Sequence, residues 1–140
     1  MDQVLIDTNV LIYAHQTDEL LKRARAIEVL DELEQNGRGR LSAQILAEFV
    51  NSTTRSRTPT LSIDEAYAQA ELLMRMFVVF DLTQFVVLEA ARGVRLHRLS
   101  YYDAQIWATA KLHQVGVILM EDFTHDRVVE GVRFVNPFLG

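Results

Sequence analysis

Four acids spread along this 140-residue chain, Asp7, Glu48, Asp103 and Asp122, are the side chains best placed to act together. Asp7 follows the apolar triplet Val4-Leu5-Ile6, and Asp122 follows Val117-Ile118-Leu119-Met120. Glu48 comes shortly after the strand-like Arg40-Leu41-Ser42-Ala43, and Asp103 opens a helical segment. If the strands ending at Asp7 and Asp122 are neighbours, three or four carboxylates crowd one pocket, where they cannot all stay ionised without compensation. Hard divalent cations supply that compensation, and an oxygen-only donor set points to magnesium or manganese. Setting these four acids aside moves the formal charge from -5 to -1, so the rest of the surface is nearly balanced.

Each acid also has a local reading. Asp7, Thr8 and Asn9 are all favoured helix caps for a segment from Val10 to about His15. Glu48 stands about 60° outside the arc of Ile45, Leu46, Phe49 and Val50, where a glutamate is usually solvated. Ser100-Tyr101-Tyr102-Asp103 has capping-box spacing, so Asp103 could cap its own helix. Yet Ile106, Trp107 and Ala110 follow it at three, four and seven positions, which puts its carboxylate on the apolar stripe, where it needs a partner. Asp126, on a loop with Thr124 and His125, reads as a turn residue or as an extra ligand. The cap and site readings of Asp7 and Asp103 stay open on local grounds.

The elements that must position these acids form an alternating series. Val4–Ile6 and Val117–Met120 are short, β-branched and apolar, as in the buried strands of parallel sheets. Arg40–Ala43, Phe77–Phe80 and Arg133–Val135 read as further strands, with Phe77–Phe80 buried. Thr17-Asp18-Glu19 opens a helix whose inner face is Leu20, Ala24, Ile27 and Leu30 and which stops at Asn36-Gly37. Gln44–Thr53 is a helix, and Ser62-Ile63-Asp64-Glu65 is a capping box that starts another. That helix carries a stripe of Ile63, Ala66, Tyr67, Ala70, Leu73 and Met74, which faces the sheet or a second subunit. Gln84–His97 is a helix with a basic edge at Arg92, Arg95 and Arg98. Strands alternating with helices predict an α/β fold with a largely parallel sheet and one domain over residues 1–140.

Composition excludes several classes. The chain has no cysteine, hence no disulfide frame, thiolate zinc site or thiol nucleophile. His15, His97, His113 and His125 lack zinc-motif spacing. No apolar run approaches the roughly 20 residues a bilayer needs. Met1-Asp2-Gln3 has no basic region, so no signal peptide and a cytoplasmic location are expected. With 14 basic against 19 acidic residues, broad attraction to nucleic acid is not expected. Local contacts from Arg55 and Arg57 on a loop, or from the basic edge, could still meet phosphates.

Asp7-Thr8-Asn9-Val10-Leu11, Glu48 in Ala-Glu-Phe, Asp103 in Ser-Tyr-Tyr-Asp-Ala and Asp122 in Glu-Asp-Phe resemble the ordered acidic motifs of the PIN-domain nucleases. The tail Gly131-Val132-Arg133-Phe134-Val135-Asn136-Pro137-Phe138 resembles the ending of the VapC-type toxins in that family. The resemblance spans nearly the whole chain. It implies a three-layer α/β/α sandwich and a Mg2+- or Mn2+-dependent endoribonuclease. It also implies a homodimer acting on an RNA substrate, with no membrane and with a cognate antitoxin protein that blocks the site. On that resemblance Asp7, Glu48, Asp103 and Asp122 are the catalytic and metal-binding acids, with Thr8, Asn9 and Ser100 supporting them by hydrogen bonds. Two positions depart from it: Met120, where many relatives carry Ser or Thr, and Asp126, where close relatives often carry Gly. Two rivals remain, a catalytically silent PIN fold that serves as a binding module and a receiver-like phosphoacceptor domain.

Overall fold

The computed structural model describes residues 2–139, so the first and last residues of the expected 1–140 unit lie outside the described residues. Six strands and six helices follow in the order β1 (Val4–Ile6), α1 (Thr8–Tyr13), α2 (Leu20–Asn36), β2 (Gly39–Ser42), α3 (Ala43–Thr54), α4 (Ile63–Met76), β3 (Val78–Phe80), α5 (Gln84–His97), α6 (Tyr101–Leu112), β4 (Val117–Leu119), β5 (Val128–Val129) and β6 (Val132–Val135). The strands form one sheet in the order β3-β2-β1-β4-β6-β5, parallel except for β5. Helices α1 to α4 pack against one another, and α5 packs on α6, giving the expected three-layer α/β/α sandwich. This strand order is not the 2-1-3-4-5 order of receiver-type sheets, which removes the phosphoacceptor reading.

The apolar triplet of β1 is buried on both faces because it lies mid-sheet. It pairs with β2 on one side and β4 on the other, with Leu5 opposite Ile118 and Ile6 opposite Leu119. The chain moves outward from β1 to β2 and β3, then returns to lay β4 on the opposite flank of β1. That reversal opens a crevice at the carboxyl ends of β1 and β4, where Asp7 and Asp122 emerge. The core beneath it is built from fully buried Leu5, Ile6, Leu41, Ile118, Phe49 and Trp107.

Local chemistry explains most boundaries. Gly37 closes α2 in the left-handed conformation, at φ 71°. The Ser62 hydroxyl accepts from the Glu65 amide at 3.1 Å while Glu65 accepts from the Ser62 amide at 2.9 Å, so the expected capping box forms. Helix α6 is buried continuously from Ala104 to Ala110, and the Trp107 indole donates to the Val129 carbonyl at 3.1 Å.

Several expectations need correction. Helix α2 buries Ala26, Val29, Leu30 and Leu33, whereas Leu20 and Ile27 are exposed. It starts only at Leu20, after Glu19 in the N-cap position without a side-chain cap bond. Strand β3 is an edge strand with Val78 exposed, not a fully buried one. The stripe on α4 needs no such correction, since it divides between the two faces left open: Ala66 and Leu73 are buried, while Ile63, Tyr67 and Met74 face outward, where a second subunit would meet them. Of the basic edge on α5, Arg92 is tied to Glu89 and Glu130, and Arg98 caps the helix with φ 58°. The unforeseen β5 pairs antiparallel with β6 across a tight Glu130-Gly131 turn in which both residues have positive φ.

Candidate active site

The first turns of α1 and α6 decide whether their acids are caps or site groups. Asp7 precedes α1 in the N-cap position with extended backbone, but its side chain makes no capping bond. Ser100 occupies the corresponding position before α6, also without a side-chain cap bond, so the box with Asp103 does not form. Both carboxylates are thereby left to the crevice. Helix α3 starts instead on a working cap, the Ser42 hydroxyl accepting from the Ile45 amide at 3.2 Å. On that helix Glu48 faces Thr8, the first residue of α1.

Asp7, Glu48, Asp103 and Asp122 line one pocket of about 200 Å³, together with Thr8, Asn9, Ile12, Ser52, Tyr102, Ile106 and Met120. Register brings β1 beside β4, and the Asp7 amide continues the ladder by donating to the Leu119 carbonyl at 3.0 Å. Thr8 donates from its hydroxyl to Glu48 Oε2 at 3.2 Å, and Gln44 donates from Nε2 to Glu48 Oε1 at 2.6 Å. Asn9 Nδ2 donates to Asp122 Oδ2 at 3.0 Å. The loop bearing Asp122 is clasped one residue earlier, where Glu121 accepts from the Tyr13 hydroxyl and from Lys22 Nζ, each at 2.6 Å.

The electrostatics follow from burial and crowding. Asp7 is only 7% exposed. Burial pushes its acid up from 3.8 to about 7, and the charges of Glu48, Asp103 and Asp122 push in the same direction against a hydrogen bond from the Thr8 backbone. Among the described residues no Lys, Arg or His lines the pocket to balance these acids. An oxygen-only set short of positive charge fits a hard divalent cation. Among the described residues no three acidic or imidazole groups converge as a ready-made ligand cage. Magnesium commonly keeps several waters and needs only one or two direct carboxylates, so this oxygen donor set suits it without a ready-made cage.

Not every residue expected here arrives. Ser100 is exposed and does not line the pocket. Asp126 has φ 65° and an exposed side chain facing His125 at 3.4 Å and Arg133 at 4.0 Å, also away from the pocket. Met120 is buried and supplies an apolar wall. Gln44, Ser52 and Tyr102 were not anticipated as neighbours of the acids. The first two stand four residues before and after Glu48, the spacing of one helical face, which is a signal the sequence carries.

No curated protein matches the sequence significantly. Solved structures resemble the fold closely. A toxin–antitoxin complex from Klebsiella pneumoniae superposes with TM-score 0.69 at 19% identity, covering 96% of this chain and 98% of that one. FitAcB from Neisseria gonorrhoeae gives 0.66 at 20%, covering 97% and 99%. The sarcin–ricin-loop-cleaving toxin VapC20 of Mycobacterium tuberculosis gives 0.67 at 18%, covering 94% and 99%. At these identities the likeness is one of fold. The PIN-domain family model, however, matches residues 4–131, a stretch that begins with β1, contains all four acids and runs into the β5–β6 turn, so this chain belongs to the PIN-domain family.

Proposed function

We propose that the protein is a Mg2+- or Mn2+-dependent endoribonuclease, the toxin of a toxin–antitoxin pair. The observation that carries this reading is a single pocket lined by four carboxylates from separate parts of the chain and, among the described residues, by no basic side chain. Asp7 and Asp103 would be the principal metal ligands, and Glu48 and Asp122 would hold a second ion or orient water. A divalent cation bound there would lower the pKa of a coordinated water and neutralise charge on the phosphoryl oxygens of the RNA. Thr8 keeps Glu48 turned toward β1, and Asn9 keeps Asp122 turned toward α1. Buried Met120 and Ile106 supply apolar wall to the pocket beside the acids. No attack by a carboxylate is required.

The protein partner in this reading is a cognate antitoxin, supported by toxin–antitoxin and FitAB complexes among the structures of like fold. A homodimer belongs to the same reading, and the exposed apolar side chains of α4 and α5, among them Tyr67, Met74, Phe85 and Leu88, are surfaces such assemblies would cover. Among the described residues no helix is long and apolar enough to cross a membrane. The spread of the acids favours one other reading, a silent PIN-fold binding module.

Asp103→Asn separates the two. It removes one charge with almost no change in shape, so the variant is expected to fold as the wild type does and to lose RNA cleavage by at least about 100-fold, a typical loss for an electrostatic group at a reaction centre. Full cleavage by Asp103→Asn would take Asp103 out of the mechanism.

A further inference from the structure

Glu48 is held by more than its own helix. Gln44, one turn earlier on α3, has two amide hydrogens, and both are used: one meets Glu48 Oε1 at 2.6 Å and the other meets the Tyr102 carbonyl, in the first turn of α6, at 3.1 Å. Its carbonyl oxygen accepts from Gln105 Nε2 at 2.9 Å. Both glutamines are buried, Gln44 at 8% and Gln105 at 4% exposed. Their orientation is forced by their neighbours. A flipped Gln44 would set its carbonyl against the Glu48 carboxylate and the Tyr102 carbonyl, leaving acceptors facing one another. Thr8 occupies the other oxygen of Glu48, so the carboxylate cannot rotate without breaking a bond.

Resting on the nuclease reading above, we propose that the buried Gln105–Gln44 pair is a positioning relay that holds Glu48 in its working orientation and locks it to the first turn of α6, where Asp103 stands. Gln44 touches no reacting atom. It acts through Glu48 on one side and through the α6 backbone on the other, and so sets the spacing between two pocket carboxylates that belong to different helices. Gln105 acts only through Gln44, fixing its amide and strengthening its donation to the carboxylate. A buried amide pair kept for packing alone would have no reason to spend one donor on a pocket carboxylate and the other on the helix that bears the next.

The test is a double-mutant cycle in the full chain with Gln44→Met, Gln105→Met and the pair, on a single-stranded RNA oligonucleotide that the wild type cuts. Met is close to Gln in length and should preserve packing. Gln44→Met is expected to keep the fold and to leave KM within about twofold while kcat falls about 10- to 100-fold, the range of one lost hydrogen bond to a charged group. Gln105→Met should lower kcat less, and the double variant should match Gln44→Met alone, because residues acting in series are not additive. An unchanged kcat in Gln44→Met, or losses that multiply in the double variant, would overturn the relay.

A second readout needs no cleavage. In the metal-free 15N-labelled protein the two Gln44 amide protons should resonate well apart, and Glu48→Ala should move the one that faces Glu48. A Gln44 amide indifferent to Glu48→Ala overturns the relay whether or not the protein cuts RNA. A wild type that cuts no RNA overturns the nuclease reading instead and leaves the relay to the spectrum.

Discussion

Asp7 is the residue on which the pocket turns, because it is the most buried of the four acids and sits at the end of the central strand. Its acid at about 7 against 3.8 unperturbed makes a stability prediction for the metal-free protein. Between those two values the folded state keeps a proton that the unfolded state has released, so stability falls as pH rises from about 4 to about 7 and then levels off. Three pKa units at about 1.4 kcal/mol each set an upper bound of about 4 kcal/mol. In chelator, Asp7→Asn should therefore melt above the wild type at pH 8 and close to it at pH 4. Added Mn2+ should raise the wild-type Tm at pH 8 and raise that of Asp7→Asn much less; equal rises would show that the ion does not meet Asp7. At this scale the sequence is informative where an acid marks a strand end or breaks an apolar stripe, as Asp7, Asp122 and Asp103 do. Of the two readings it leaves open at Asp126, the left-handed backbone fits the turn residue, with the side chain toward His125 and Arg133. At Gln44 the sequence signal is indirect, since an uncharged residue on a helix stands out only through its spacing of four from Glu48.

Among the elements, α5 and α6 make the most extensive helix pairing, and Gly93 leaves room in it for Trp107. A Cβ at that position would lie 2.6 Å from Cζ3 and 2.9 Å from Cε3 of Trp107, whose indole is held by its bond to Val129. Gly93→Ala should therefore cost about 1–3 kcal/mol through overpacking, against the gain of up to about 1 kcal/mol that the same change gives in an unhindered helix. Denaturant unfolding measures the sign directly, and a more stable variant would mean that Trp107 moves aside cheaply. Helix α6 carries both Trp107 and Asp103, so the fit of α5 against it also bears on the pocket. The helices themselves are legible from caps and periodicity, but which face they bury is less so. In α2 two apolar stripes compete, one through Leu20, Ala24 and Ile27, the other through Ala26, Val29 and Leu33, and both share Leu30. The sheet selects the second, a tertiary choice that periodicity alone does not decide.

For the whole molecule, the alternation of strand and helix is enough to read a parallel three-layer architecture, because crossovers between parallel strands need helices on the faces. The sheet order is not readable in the same way. That β4 lies beside β1 is what brings Asp122 to Asp7, and three-residue strands carry no pairing signal of their own. The two-residue β5 and the exposed edge at β3 escape for the same reason. The function proposed for this PIN-domain fold is metal-dependent RNA cleavage. The direct test is to incubate total cellular RNA with the partner-free protein in Mg2+ or Mn2+, in chelator, and with Asp7→Ala in place of the wild type. Discrete fragments that require both the metal and Asp7 are the predicted result. Intact RNA in every arm, with metal binding to the wild type shown separately, would contradict the nuclease and leave a PIN fold that binds without cutting.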